Sequence, residues 1–166
     1  MTRLARLIAT FGYVGVVPGP AGTWGSAAAI PVAWVLHWLG GFPLLAVATV
    51  VVCAAGYWAT KVETAGKEDL DPGEIVIDEV VGQWIALWPL SAGLWHAGAA
   101  PYVFPWPGWV AAFVFFRLFD IWKPGPVGWA DRRKGPLGVM LDDVIAGVLA
   151  AAVVTAAAAV SHGWLR

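Results

Sequence analysis

Apolar residues run almost unbroken through five stretches of the chain, Ser26–Leu39, Phe42–Thr60, Ile75–Leu90, Gly108–Ile121 and Val139–Val160, and nearly all charged residues lie between them. Each stretch reads as a helix. Crossing a hydrocarbon layer of ~30 Å takes about 20 helical residues, so the second and fifth are long enough and the third is adequate when extended. The first and fourth are short, and one of them is a candidate re-entrant segment. Pro31 is expected to kink the first, with neighbouring helices satisfying the backbone group it frees. Arg3 and Arg6 precede an apolar stretch from Leu7 to Val17 that no small-x-small cleavage site follows, so it reads as a short interfacial anchor. The expected fold is an all-α, polytopic membrane helical bundle of about five helices, forming a single domain over residues 1–166.

Composition sharpens this picture. Of the 166 residues, 60% are apolar and 13% charged, against roughly half and a quarter in a soluble domain. Twelve tryptophans add to an imbalance that a bilayer accommodates and water does not. The net charge of −1 gives no basic field for nucleic acid. Cys53 stands alone in an apolar run, which excludes a disulfide framework and a thiolate metal site.

The charges also orient the chain. With the N-terminus inside, Arg3, Arg6, Lys61, Lys67, Lys123, Arg132, Arg133 and Lys134 all fall on the cytoplasmic side, Arg166 alone falls outside, and Arg117 lies within the fourth helix. Basic residues favour cytoplasmic loops, so the orientation is N-in and C-out. On the outer side, Gly40–Gly41 reads as a tight turn and Ser91–Pro107 as an uncharged loop whose Trp95, Trp106 and neighbouring Trp109 suit an interfacial aromatic belt.

In this topology, five carboxylates share the cytoplasmic layer. Asp78 and Glu79 begin the third helix, Asp120 ends the fourth, and Asp142 and Asp143 begin the fifth. Helix-dipole complementarity accounts for single acids at helix starts. It does not account for Asp120 at a helix end, nor for two adjacent pairs in apolar sequence. Ionisable groups at membrane depth are costly, and several acids together need a cation. Oxygen donors with no His or Cys nearby point to Mg²⁺.

Magnesium on carboxylates implies phosphate, and donors for phosphate are present. Arg117 shares a helix face with Asp120, and Lys123 follows. The stretch Pro18–Ser26 leads into the first helix, so the backbone amides of Gly22, Thr23, Gly25 and Ser26 are candidates for an oxyanion cradle. Arg132, Arg133 and Lys134 read as topology-setting charges. The mixed-charge loop Lys61–Glu74 reads as a solvated connection, and His37, His96 and His162 make no ligand pair.

Four ordered motifs carry a resemblance through almost the whole chain: Pro18-x-x-x-Gly-Thr-x-Gly-Ser26 with Ala29-Ile-Pro31, Asp78-Glu-x-x-Gly-x-Trp84, Phe116-Arg-x-x-Asp-x-Trp-Lys-Pro124, and Gly138-Val-Met-x-Asp-Asp-x-x-Ala-Gly147. In these the chain resembles the phosphatidylglycerophosphatase A family, bacterial membrane enzymes that hydrolyse phosphatidylglycerophosphate to phosphatidylglycerol and phosphate. Two loop positions depart from the family pattern, Ala21 in place of proline and Gly135-Pro136 in place of a double glycine. The resemblance implies Mg²⁺ dependence, a place in the bacterial inner membrane, a role in phospholipid synthesis, and Thr23, Asp78, Glu79, Arg117, Asp120, Lys123, Asp142 and Asp143 as site residues.

The expected chemistry is phosphomonoester hydrolysis of a phospholipid at the cytoplasmic face. Asp78, Glu79, Asp142 and Asp143 would hold one or two Mg²⁺ ions. Arg117, Lys123 and the Gly22–Ser26 amides would bind the phosphoryl oxygens. Asp120 is a ligand, a general base or a nucleophile, and with Asp78 and Asp143 it forms the expected catalytic set. Two rivals are a lipid-headgroup phosphotransferase and a small cation transporter. The latter predicts acids near the bilayer midplane instead of at helix ends.

Overall fold

A computed structural model describes residues 2–164, with side chains through 161; Arg166 and the side chain of His162 lie outside the described part. All regular structure among these residues is helical. Six α-helices follow in order: α1 (Arg3–Ala9), α2 (Ala21–Thr64), α3 (Ile77–His96), α4 (Trp106–Trp122), α5 (Pro126–Asp131) and α6 (Pro136–Trp164), with one 3₁₀ turn at Val14–Val16. The first two apolar runs are two arms of α2. Gly40 and Gly41 interrupt it with non-helical torsions, Gly41 at φ 62°, ψ −159°. That left-handed φ favours glycine, and a Cβ at Gly41 would run into the Trp95 ring. Pro31 does not break its arm: torsions are non-helical only at the two glycines. Pro43 sits at the start of the second arm, where a missing N–H costs little.

The arms run in opposite directions along α3. In the first, Gly25 packs on Val76, the Ala29 carbonyl accepts from Trp84 Nε1 at 2.9 Å, and His37 Nδ1 shares a 2.7 Å hydrogen bond with Ser91 Oγ. In the second, Thr49 Oγ1 accepts from Trp88 Nε1 at 3.2 Å and Gly56 packs on Ile77. The direction continues to alternate, since α4 brings Gly108 against Leu90 and Phe116 against Gly82, and α6 packs Gly147 on Gly82. Five helical passes therefore surround or form a bundle centred on α3, which is buried almost continuously from Ile77 to Leu87.

The surface is inverted relative to a soluble protein. On α2 the buried stripe is mostly small or polar (Gly25, Ser26, Ala29, Ala33, Thr49, Gly56, Ala59, Thr60), whereas Val32, Val35, Trp38, Leu39, Val47, Val50 and Val51 are exposed. Small residues at helix contacts with large apolar residues outward is the arrangement suited to lipid. Two helices, α2 and α6 (over Pro136–Ser161), are long and apolar enough to span a membrane. Helix α4 has 17 residues, or about 26 Å at 1.5 Å per residue, and is shorter than a comfortable span.

The N-terminal segment buttresses the start of α3. Val76 N–H donates to the Ala9 carbonyl at 2.9 Å, Arg6 pairs with Glu74 at 2.8 Å, and a Cβ at Gly15 would collide with the Glu74 carbonyl. Leu4 and Leu7 face outward beside Arg3 and Arg6.

Candidate active site

One end of the bundle gathers the starts of both α2 and α3, the end of α4 and the first turns of α6. One close helix contact there explains two of the motifs. A Cβ on Gly82 would meet the Phe116 ring and the Asp143 carbonyl, and a Cβ on Gly147 would meet the Gly82 backbone. Helices α3 and α6 thus touch backbone to backbone. Each glycine lies four residues after an acid, Asp78 or Asp143, on the same helix face. The contact therefore brings those two carboxyls together across the helix pair. The longer Glu79 side chain reaches the same point from the neighbouring face, so Asp78, Glu79 and Asp143 each present an oxygen within 4.8 Å of the others.

These acids line a cleft of about 480 Å³ with Gly19, Pro20, Ala21, Gly22, Asp71, Arg117, Asp120, Lys123 and Asp142. Arg117 Nη1 lies 3.9 Å from Glu79 Oε1 and hydrogen-bonds Asp120 Oδ2 one turn along its own helix. Gly22 is a close approach: a Cβ there would collide with Glu79 Oε1 and stand 3.1 Å from Arg117 Nη1. The first turn of α2 thus passes directly over this carboxylate and guanidinium, and a side chain at position 22 would force one of them to move.

The donor set fits a divalent cation. Glu79 Oε2, Asp143 Oδ1 and Arg117 Nε are buried without hydrogen-bond partners, and three carboxylates from two helices converge with one arginine beside them. Hard oxygen donors without His or Cys are those of a hard cation.

The structure departs from the sequence reading at four places. Asp142 lies outside the trio. Its Oδ1 accepts from the Asp143 N–H at 3.0 Å and its Oδ2 receives Lys123 Nζ at 2.9 Å. Adjacent residues point about 100° apart on a helix, so of this pair Asp143 faces α3 and Asp142 the rim. Both sit beyond the first turn of α6, which begins at Pro136 and holds no acid in that turn, so helix-dipole complementarity does not account for them.

Lys123, expected on phosphate, is bound by Asp131 as well as Asp142. Burial works against its charge, but those hydrogen bonds outweigh it and hold its pKa well above the usual lysine value. Its left-handed torsion, φ 51°, ends α4 and turns the chain toward α5.

The expected amide cradle is displaced. Helix α2 begins at Ala21, the Thr23 and Trp24 amides already donate to the Pro20 carbonyl, and Gly25 and Ser26 are buried inside the helix. Ser26 Oγ donates to the Gly22 carbonyl at 2.8 Å. The cleft is lined by Gly19 to Gly22 instead, where the first-turn amides of Ala21 and Gly22 have no intrahelical acceptor. Of the four expected cradle residues, Gly22 reaches the cleft, while Thr23, Gly25 and Ser26 do not line it.

Asp71 was missed. Its loop folds over the cleft, placing a carboxyl on the wall beside Lys123. The residue is exposed on its outer side, yet desolvation of the carboxyl raises its pKa; Lys123 opposes the shift and the charges of Asp69, Asp131 and Asp120 add to it. The only signal was the loop's proximity in sequence to Asp78.

The comparisons with known proteins identify a family. The family model described as Phosphatidylglycerophosphatase A matches residues 7–158. The Escherichia coli phosphatidylglycerophosphatase A is 36% identical over 153 residues, covering 90% of this chain and 79% of that protein. Its Haemophilus influenzae namesake is 35% identical, covering 88% and 83%. A Bacteroides thetaiotaomicron protein, provisionally named a phosphatidylinositol-3-phosphatase, is 38% identical, covering 82% and 80%. No solved structure matches. With four motifs meeting at one end of an all-helical bundle and a family match over nearly its full length, the chain belongs to the phosphatidylglycerophosphatase A family.

Proposed function

We propose that this chain is an integral membrane phosphatase, folded as a single domain, that hydrolyses phosphatidylglycerophosphate to phosphatidylglycerol and phosphate. The observation carrying the proposal is the meeting of Asp78, Glu79 and Asp143 within 4.8 Å, beside Arg117, at one end of a bundle with an apolar exterior. The five alternating passes and the basic loops support N-in/C-out insertion in the bacterial inner membrane, with the cleft at the cytoplasmic face. A cysteine replacing Asp69, in a Cys53→Ala background, should then react with an impermeant thiol reagent from the cytoplasmic side; labelling only from outside would reverse the orientation.

Asp78, Glu79 and Asp143 would hold Mg²⁺, with Asp142 at the rim. The ion would supply Lewis acidity toward the phosphoryl oxygens and neutralise the acids. The chain's own groups do the rest. The Arg117 guanidinium and the free amides of Ala21 and Gly22 bind phosphoryl oxygens whose charge redistributes as the ester bond breaks. Asp120, fixed through one oxygen by Arg117, takes a proton from the attacking water with the other. Water's oxygen forms the new P–O bond, the ester P–O bond breaks, the departing glycerol oxygen takes up a proton from solvent water, and Asp120 returns its own proton to solvent. Lys123 holds the rim between α4, α5 and α6.

The relative named for a phosphoinositide favours one second reading, a different lipid phosphomonoester as substrate. The test is phosphate release by the detergent-purified chain from phosphatidylglycerophosphate and from phosphatidylinositol 3-phosphate, with Mg²⁺ and with excess chelator. Metal-dependent release from the first, at the higher kcat/KM, is expected. Preference for the second would replace the substrate, and release unaffected by chelator would remove the cation.

A further inference from the structure

Gln83 stands one turn beyond Glu79 on α3, at the centre of the bundle. It is fully buried, and neither its Oε1 nor its Nε2 has a hydrogen-bond partner. Its neighbours along the helix, Val80, Val81, Trp84, Ile85 and Ala86, are apolar and equally buried. An apolar side chain of the same length would avoid the cost of an unpaired amide, so the amide needs a reason to be there.

Glu79 provides one. Residues four apart share a helix face, and helical side chains lean toward the N-terminus, so the Gln83 amide lies over the turn that carries Glu79. The two oxygens of Glu79 differ. Oε1 is turned to Gly22 and Arg117, while Oε2 is buried and unpartnered. One turn of helix thus holds a buried acceptor and a buried donor, neither of which is hydrogen-bonded, to the other or elsewhere. Carboxylates that ligate metals are in turn oriented by hydrogen bonds to their other oxygen.

We propose that Gln83 is a positioning residue for the cation site: with a cation on the three acids, its side-chain N–H donates to Glu79 Oε2 and turns the other oxygen of that carboxylate toward Asp78 and Asp143. The proposal rests on the reading that these three acids bind a divalent cation. It assigns Gln83 no contact with the substrate or with the ion.

The test uses the full chain in detergent and the metal alone. Thermal unfolding is followed while Mg²⁺ or Mn²⁺ is added to the wild type, to Gln83→Met, which keeps the length and removes the donor, and to Gln83→Leu as a second variant. In the metal-free protein both variants are expected to melt at or above the wild-type temperature, because a buried unpaired amide has been removed. The metal concentration giving half-maximal stabilisation is expected to rise about tenfold or more, the usual cost of losing such a hydrogen bond. A midpoint within about twofold of wild type in both variants, whatever their metal-free melting temperature, overturns the proposal and leaves the cation site standing. A wild type that no divalent cation stabilises overturns the cation reading itself, and the role of Gln83 with it.

Discussion

The two ends of the bundle are built from the same five passes, yet they treat polar groups in opposite ways. At the far end, beside the Gly40–Gly41 turn, the buried ionisable residue is His37, and it is paired with Ser91 at 2.7 Å. The unpartnered buried atoms there are the neutral indole nitrogens of Trp34 and Trp109. At the other end Glu63, Glu79, Arg117 and Asp143 each keep a buried atom without a partner. Among the described residues, every buried ionisable side chain with such an atom lies at this end. A helical bundle can satisfy a buried polar group when only stability is at stake. Where it leaves several charged ones unsatisfied around a cleft, the partner is to be sought in a ligand.

Changes that separate the two ends test this contrast. The largest effect is expected from Asp78→Asn or Glu79→Gln, which remove a charge from the trio. Phosphate release should fall by about a thousandfold or more, with membrane insertion and metal-free melting temperature kept or raised. A loss under about tenfold would place the chemistry elsewhere. Arg117→Lys keeps the charge but loses the guanidinium whose Nη1 stands between Glu79 and Asp120, with its other nitrogens free for phosphoryl oxygens, and should cost about a hundredfold in kcat. Wild-type turnover in that variant would reduce Arg117 to a structural ion pair.

Gly22→Ala introduces a methyl group where Glu79 and Arg117 already stand. The first turn of α2 or the carboxylate must shift, and a tenfold to hundredfold loss of turnover is expected, on the order reported for misplacements of about 1 Å. Equal activity would mean that the cleft is slack at this point.

The smallest effect belongs to Asp71. Its folded pKa is raised, so the fold holds its proton more tightly than the unfolded chain does. Its charge therefore costs no stability below the unfolded carboxylate value of about 4, and the full cost appears above the folded pKa. Asp71→Asn should raise the melting temperature slightly at neutral pH and leave it unchanged in acid. A lower melting temperature at neutral pH would contradict that sign.

Much of this molecule was legible in its sequence because the governing signals are long or local. Runs of apolar residues mark the passes, a glycine pair marks the bend of α2, and acids embedded in apolar sequence mark the site end. What sequence could not supply was rotation and reach. Asp142 and Asp143 are indistinguishable as neighbours in a chain, yet α6 turns one to α3 and the other to Lys123. Gly25 and Ser26 look like part of a loop until the helix is seen to start at Ala21 and absorb them. Lys123 looks free until α5 brings Asp131 to it. Asp71 sits in a mixed-charge loop of the kind that is usually solvated, and only the fold of that loop places it on the cleft.

The central claim is that chemistry resides at the end where buried charged groups keep atoms without partners. Its most direct test compares phosphate release from phosphatidylglycerophosphate by two variants purified side by side, Asp143→Asn at one end and Ser91→Ala at the other. Ser91→Ala strips His37 of its partner and should cost about 1–3 kcal/mol of stability while leaving kcat near wild type. Asp143→Asn should fold at least as stably and release almost no phosphate. Substantial turnover by Asp143→Asn, or loss of turnover in a folded Ser91→Ala protein, would contradict the assignment of function to the carboxylate end.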